Sequence, residues 1–198
     1  PAKRAGNEFA FMMQAIQNIE LLKGYEIQKI VTGCPHCFNT LKNEYPELGA
    51  DFEVVHHTQL INQLIRDGRL LLKGGGRFDG KKITFHDPCY LGRANDVYEA
   101  PREVLEKLDA ELVEMKRSKA KGLCCGAGGA QMFKDAEKGN KEINIERTQD
   151  AIEVNADYIA TGCPFCNTMM TDGIKHFEKE EKVKVLDIAE LIANSADL

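Results

Sequence analysis

The chain has no excess of basic charge, no long apolar run and no even set of cysteines, and each absence removes a class of function. Its 26 Lys and Arg are outnumbered by 31 Asp and Glu, for a formal net charge of -5. A nucleic-acid surface needs a basic footprint, and no basic stripe supplies one here. The apolar runs are only a few residues long, far short of the ~20 needed to cross a bilayer. No secretory signal opens the chain. Seven cysteines leave one over after pairing, and they sit in ligand-like motifs, so a reducing, cytoplasmic setting is expected rather than a secreted disulfide scaffold. The chain begins at Pro1 without Met, directly in a helical pattern. It is therefore expected to be part of a longer protein, with any membrane contact made by missing upstream segments. At 198 residues and 43% hydrophobic, it can bury a sizeable core as one domain or two small ones.

What the chain does have is a cysteine constellation: Cys89, the vicinal pair Cys124-Cys125 followed by Gly126, and the knuckle Cys163-Pro164-Phe165-Cys166. Its spacing is C-x34-C-C-G-x36-C-x2-C. Neighbouring cysteines form a disulfide only through a strained ring, so Cys124 and Cys125 read as paired thiolate donors. A structural zinc is closed by four ligands and has no use for a fifth sulfur. An iron–sulfur cluster has several irons to satisfy, and cysteine thiolates are its usual ligands. Buried cysteines that pack as small hydrophobes, or a zinc site, remain the alternatives.

The pattern resembles the CCG (cysteine-rich) domain of heterodisulfide reductase subunits B and D and of the iron–sulfur subunits of glycolate, lactate and glycerol-3-phosphate oxidation systems. The resemblance extends through His86-Asp87-Pro88-Cys89-Tyr90-Leu91-Gly92-Arg93, Leu123 to Gly129, and Glu146-Arg147-Thr148. It implies a non-cubane [4Fe-4S] cluster on Cys89, Cys124, Cys125, Cys163 and Cys166. The stretch from Pro1 to Glu8, with Val55-His56-His57-Thr58-Gln59, is similar to long membrane-bound iron–sulfur reductases thought to pass electrons from electron-transfer flavoprotein to menaquinone. That likeness implies a flavoprotein donor and further iron–sulfur domains as partners.

The knuckle occurs twice. Ile30-Val31-Thr32-Gly33-Cys34-Pro35-His36-Cys37 and Ile159-Ala160-Thr161-Gly162-Cys163-Pro164-Phe165-Cys166 share one design 129 positions apart. Thr58 and Asp187 keep that offset, and both read as N-caps. The expected organisation is a truncated first repeat over residues 1–73, a linker over 74–81 marked by Gly74-Gly75-Gly76, and a complete cysteine-rich domain over 82–198. Cys34 and Cys37 are then an incomplete second site, or a redox-inactive or thioredoxin-like pair.

Strands alternate with helices, which predicts an α/β fold with parallel sheets. Strands are expected over Gln28 to Thr32, Phe52 to His56, Lys82 to His86, Glu111 to Met115, Tyr158 to Thr161 and Val183 to Leu186. Helical spacing covers Ala5 to Leu22, Thr58 to Ile65, Val97 to Leu108, Ile143 to Val154, Asn167 to Phe177 and Ile188 to Ala193. Cys89 and Cys163 then emerge at the carboxyl ends of strands, where open α/β sheets hold ligands. Cys166 falls in the first turn of the helix that Pro164 opens. Gly126, Gly128 and Gly129 are expected to let the main chain wrap the cofactor and aim N–H groups at sulfur.

No side chain outside the cluster is assigned a catalytic role. His86, beside Asp87, reads equally as part of a proton relay or as a structural donor. Of His56 and His57, one is expected to face the core and one the solvent. Arg93 and Arg147 either screen cluster charge or pair with surface acids, and Met169 and Met170 read as packing. The leading functional expectation is a relay from a flavoprotein towards quinone. The alternatives are a heterodisulfide reductase catalytic domain and a zinc-stabilised interaction module without turnover.

Overall fold

In a computed structural model, residues 2–72, 76–135 and 138–196 are described; Gly74 and Gly75 of the expected linker lie outside them. Thirteen elements run in the order α1 (Glu8–Gly24), β1 (Lys29–Thr32), α2 (Pro35–Asn39), β2 (Glu53–His56), α3 (His57–Arg66), β3 (Lys82–Phe85), α4 (Glu99–Leu105), β4 (Glu111–Leu112), α5 (Ile143–Glu153), β5 (Tyr158–Thr161), α6 (Pro164–His176), β6 (Lys184–Asp187) and α7 (Ile188–Ala196), joined by shorter helical turns. The fold is α/β, as the alternation predicts.

Two parallel sheets carry it. One pairs β1 with β2; the other has the order β4-β3-β5-β6. Strands β3 and β5 are buried along almost their whole length, as central strands must be when helices cover both faces. On one face Ile83, Phe85 and Ala160 pack with Val104 and Leu105 of α4, Ile188, Leu191 and Ile192 of α7, and Ile61 and Ile65 of α3. On the other, Ile159 packs with Ala151 of α5 and Met170 and Ile174 of α6. Helix α3, which follows the two-stranded sheet, thus shares the core of the four-stranded one. The pair of parallel sheets is consistent with the repeat expected from the twin knuckles.

Several local expectations are corrected. The N-cap of α3 is His56, not Thr58: the His56 ring accepts from the third helical residue, and Gln59 accepts from the His56 N–H in return. Asp187 holds the matching place before α7, taking the Ala189 N–H while its own N–H goes to Glu190. The first is a capping box and the second a related N-cap, and the two caps lie 131 positions apart, not the 129 of the knuckles. His57 does not face solvent; it opens α3, and its Nε2 lies 2.9 Å from Asp187 Oδ1. Strand β4 stops at Leu112, and α6 begins at Pro164 rather than Asn167.

Candidate metal centre

Three loops bring the cysteines together. The first leaves the end of β3 as His86-Asp87-Pro88-Cys89 and is fixed by Asp87. This carboxylate is almost wholly buried and takes two bonds from Arg102, at 2.8 and 3.0 Å. The second loop, which carries Cys124 and Cys125, is tied to the first by two bonds. The Lys119 N–H donates to Asp87 at 2.7 Å, and Arg93 Nη1 donates to the Gly122 carbonyl at 2.5 Å. The third is the knuckle at the carboxyl end of β5. There Pro164 starts α6 and Cys166 sits in the first turn, as expected.

The sulfurs meet where these loops converge. Cys125 and Cys166 lie 3.4 Å apart, Sγ to Sγ, and both are buried with Cys163. Cys124 touches both Cys125 and Cys89. Gly126, at a φ of 90° that only glycine adopts without strain, turns its N–H onto Cys124 Sγ at 3.3 Å. Gly128 has no such φ among the described residues. A ring nitrogen of His86 joins Cys125 and Cys166 in a buried trio whose ligand atoms all lie within 4.8 Å of one another.

The first knuckle is not remote from this group. His36 lies against Cys163 on one side and Cys34 on the other, and its ring lies tilted by 37° against Tyr90, centroids 4.5 Å apart, and meets Phe165 edge-on at 5.6 Å. Cys34 in turn contacts Cys37. All seven cysteines therefore form one run of contacts, linked by a histidine that no cysteine spacing singles out.

Each thiol that is lowered on that run is bonded to at least one that is raised. Cys124 is held far below the usual thiol range by hydrogen bonds from Cys125 and Cys89. Cys163 falls to about 6 through Cys166 and His36. Cys34 falls to about 4 through Cys37 and His36. Their donors move the other way: Cys125 is pushed up to about 12 by its bond to Cys124, and Cys89, Cys166 and Cys37 are raised as well. His36, bonded to Cys163 and Cys34, rises to about 9. His86 drops to about 3 because it is buried and faces Arg147.

A sulfur-rich pocket with polarised thiolates, a main-chain N–H aimed at sulfur and a buried histidine nitrogen without a partner suits a polynuclear iron–sulfur group. Arg147 is wholly buried, within reach of His86 and Asp150 and away from surface acids. Met170 packs in the core beside Ile174, and Met169 lines the cysteine cluster. Among the described residues no helix is long and apolar enough to cross a membrane.

The family described as "CCG: Cysteine-rich domain" matches residues 1–42 and 83–171, two stretches that each contain one knuckle. The chain is 46% identical over 194 residues to a probable iron-sulfur-binding oxidoreductase, FadF, of Bacillus subtilis, covering 98% of this chain and 27% of that protein. It is 41% identical over 197 residues to an EtfAB:quinone oxidoreductase of Syntrophomonas wolfei, covering 96% and 27%. It is 36% identical over 192 residues to a component of the dihydromethanophenazine:CoB--CoM heterodisulfide reductase of Methanosarcina barkeri, covering 93% and 44%. The chain thus spans about a quarter of the length of the first two relatives and under half of the third.

Proposed function

The chain belongs to the cysteine-rich (CCG) domain family, and from that premise we propose that it is the iron–sulfur electron-transfer part of a larger oxidoreductase. In this reading Cys89, Cys124, Cys125, Cys163 and Cys166 hold a non-cubane [4Fe-4S] cluster, and the whole protein relays electrons from a flavoprotein towards quinone. The observation that carries it is the meeting of three loops at one point, with Cys125 and Cys166 at 3.4 Å and Cys89, Cys124 and Cys163 joined to them by contact. The relatives named for iron–sulfur binding and for EtfAB:quinone oxidoreduction support the direction of transfer.

When bound, such a cluster supplies reversible storage of an electron. The chain's own residues do the rest. Cys124 and Cys163 offer preformed thiolates, and the Gly126 N–H offsets part of their charge. Asp87, held by Arg102, keeps the Cys89 and Cys124 loops at a fixed separation. The buried walls around Cys125, Cys163 and Cys166 exclude water. Residues 1–73 are read as the later part of a preceding repeat and 82–198 as the complete domain. The domain would work in the cytoplasm and reach the membrane only through other parts of the longer protein.

The second reading is a heterodisulfide reductase domain, favoured by the continuity of the sulfur run through His36 to Cys34 and Cys37. The test is anaerobic reconstitution. Iron and sulfide in near-equal amounts are expected, lost in Cys125→Ser and kept in Cys34→Ser. Bleaching of the colour by a reduced electron-transfer flavoprotein supports the relay, and turnover with added disulfides supports the second reading. A colourless protein with one zinc refutes both.

A further inference from the structure

His86 and Arg147 form a buried pair beside the sulfurs, outside the set of five cysteines. His86 is fully buried at the end of β3, and Arg147 is fully buried on α5. Arg147 Nε donates to His86 Nδ1 at 3.0 Å. Arg147 Nη1 donates to the Arg117 carbonyl at 2.5 Å and to Asp150 Oδ2 at 3.2 Å. Arg117 also clamps Asp150 with two bonds of 2.8 Å. The guanidinium is thus oriented from behind, and its Nε has one direction to point.

A guanidinium nitrogen can only donate. His86 Nδ1 must therefore present its lone pair to Arg147, and the ring proton is left on Nε2. That Nε2 is buried and has no protein partner. With Nδ1 turned to Arg147, it is the nitrogen left to face Cys125 and Cys166, which lie within 4.8 Å of a His86 ring nitrogen and of each other. A buried N–H without an acceptor keeps its full desolvation cost, and the Cys125 and Cys166 sulfurs are the acceptors beside it. A histidine that ligates iron needs a lone pair on the ligating nitrogen, and the bond from Arg147 removes it from Nε2.

We propose that, once the group is bound, His86 becomes an N–H donor to the Cys125 and Cys166 sulfurs, not an iron ligand, and that Arg147 is the positioning residue that fixes the imidazole in its Nε2–H tautomer. The pair would stabilise negative charge on those sulfurs, and more so after an electron has arrived, which raises the potential of the bound group. This rests on the iron–sulfur reading above, but the tautomer itself does not.

The experiment has two arms. In the cluster-free chain, nitrogen-15 NMR of labelled histidine is expected to show His86 with an unprotonated Nδ1 and a protonated Nε2; the opposite tautomer overturns the proposal. In the iron-loaded chain, electron–nuclear double resonance is expected to show an exchangeable proton assigned to His86 and only weak nitrogen coupling, and a strong, directly bonded nitrogen signal overturns it. His86→Leu is expected to lower the midpoint potential with iron retained, and His86→Gln, which keeps an N–H, to restore most of the shift. Arg147→Leu is expected to weaken the proton signal. Equal potentials in wild type and His86→Leu refute the tuning role. Should the chain take up no iron at all, the functional reading fails and the tautomer arm alone decides the geometry.

Discussion

Removing Arg102 is the perturbation that tests most directly how the site is held. Its guanidinium is 4% exposed and the Asp87 carboxylate 3%, so both are nearly free of water. Arg102 gives Asp87 two bonds, gives Glu114 two more at 2.6 and 3.0 Å, and caps the Tyr98 carbonyl at 2.9 Å. Glu114 is 38% exposed, and solvent screening leaves that part worth under about 1 kcal/mol. The cost is therefore set by Asp87. In Arg102→Leu the carboxylate keeps, among the described residues, the Lys119 N–H as its bond and remains buried without a hydrogen-bonded cation, with Arg147 acting on it only through its charge. Breaking a buried pair from one side costs about 3–5 kcal/mol, a large part of the roughly 5–15 kcal/mol that holds a domain folded. Asp87→Asn removes the charge yet can still accept from Lys119, so the double variant Arg102→Leu/Asp87→Asn is expected to recover about 2 kcal/mol of that loss. Urea unfolding of the iron-free, reduced chain reads all three. A loss below about 1 kcal/mol in Arg102→Leu, or no recovery in the double variant, would show that Asp87 is not the anchor of the two loops.

Gly173 on α6 faces Thr148 on α5 so closely that an added Cβ would collide with Thr148 Oγ1 and come within 2.8 Å of its Cβ. Alanine in an open helix gains about 1 kcal/mol over glycine, but overpacking against this buried threonine costs about 1–3 kcal/mol, so Gly173→Ala is expected to lower the unfolding midpoint, and a rise would refute the close packing. Cys89, Cys125 and Cys166 have raised thiol pKa values and are protonated at neutral pH, whereas a metal needs thiolates. Loading the iron-free chain in weak buffer is thus expected to release protons, and its apparent affinity to fall as pH falls; loading without proton release would mean that those thiols are already ionised.

The strands were legible because β-branched and apolar residues cluster between turn signals: β5 runs over Tyr158–Thr161 as expected, and β1 to β3 differ by a residue at one end. The loops of Cys89 and Cys163 were legible because Pro88 and Pro164 adjoin a cysteine at a strand end, and that of Cys124 because two cysteines stand side by side before a glycine. Helix α2 and the turns that extend it to Leu48 were not. The segment is interrupted by Pro35 and Pro46, and between the buried rings of Phe38 and Tyr45 it also buries Asn39 and Glu44, bonded to each other at 3.0 Å and, through Glu44, to Arg4 at 2.6 Å. Phe38, Leu41, Tyr45 and Leu48 recur at helical spacing and pack inward, but the two prolines and the buried polar pair between them obscure that signal. The partners of the site were not legible either. His86 meets Arg147 across 61 residues, Asp87 meets Arg102 across 15, and His57 meets Asp187 across 130. Spacing reveals ligands that share a cofactor, but it carries no sign of side chains that meet only after the sheets have packed.

The N-terminal end of α3 explains why the two knuckles lie together. A Cβ placed on Gly33 would touch the His57 ring at 3.6 Å, and one on Gly162 would touch His56 Cε1 and Thr58 Cγ2, each at 3.5 Å. One helix end thus sits against the residue just before Cys34 and the residue just before Cys163. His57 bonds onward to Asp187 at the end of β6, and Ile61 and Ile65 of the same helix reach into the core beneath β3 and β5. The larger sheet therefore fixes α3, and α3 fixes both knuckle loops. His36 fills the space between Cys34 and Cys163 because those loops are held at one separation. Any displacement of either knuckle must move the same helix end, so the cysteines of the two stretches are coupled mechanically as well as by charge.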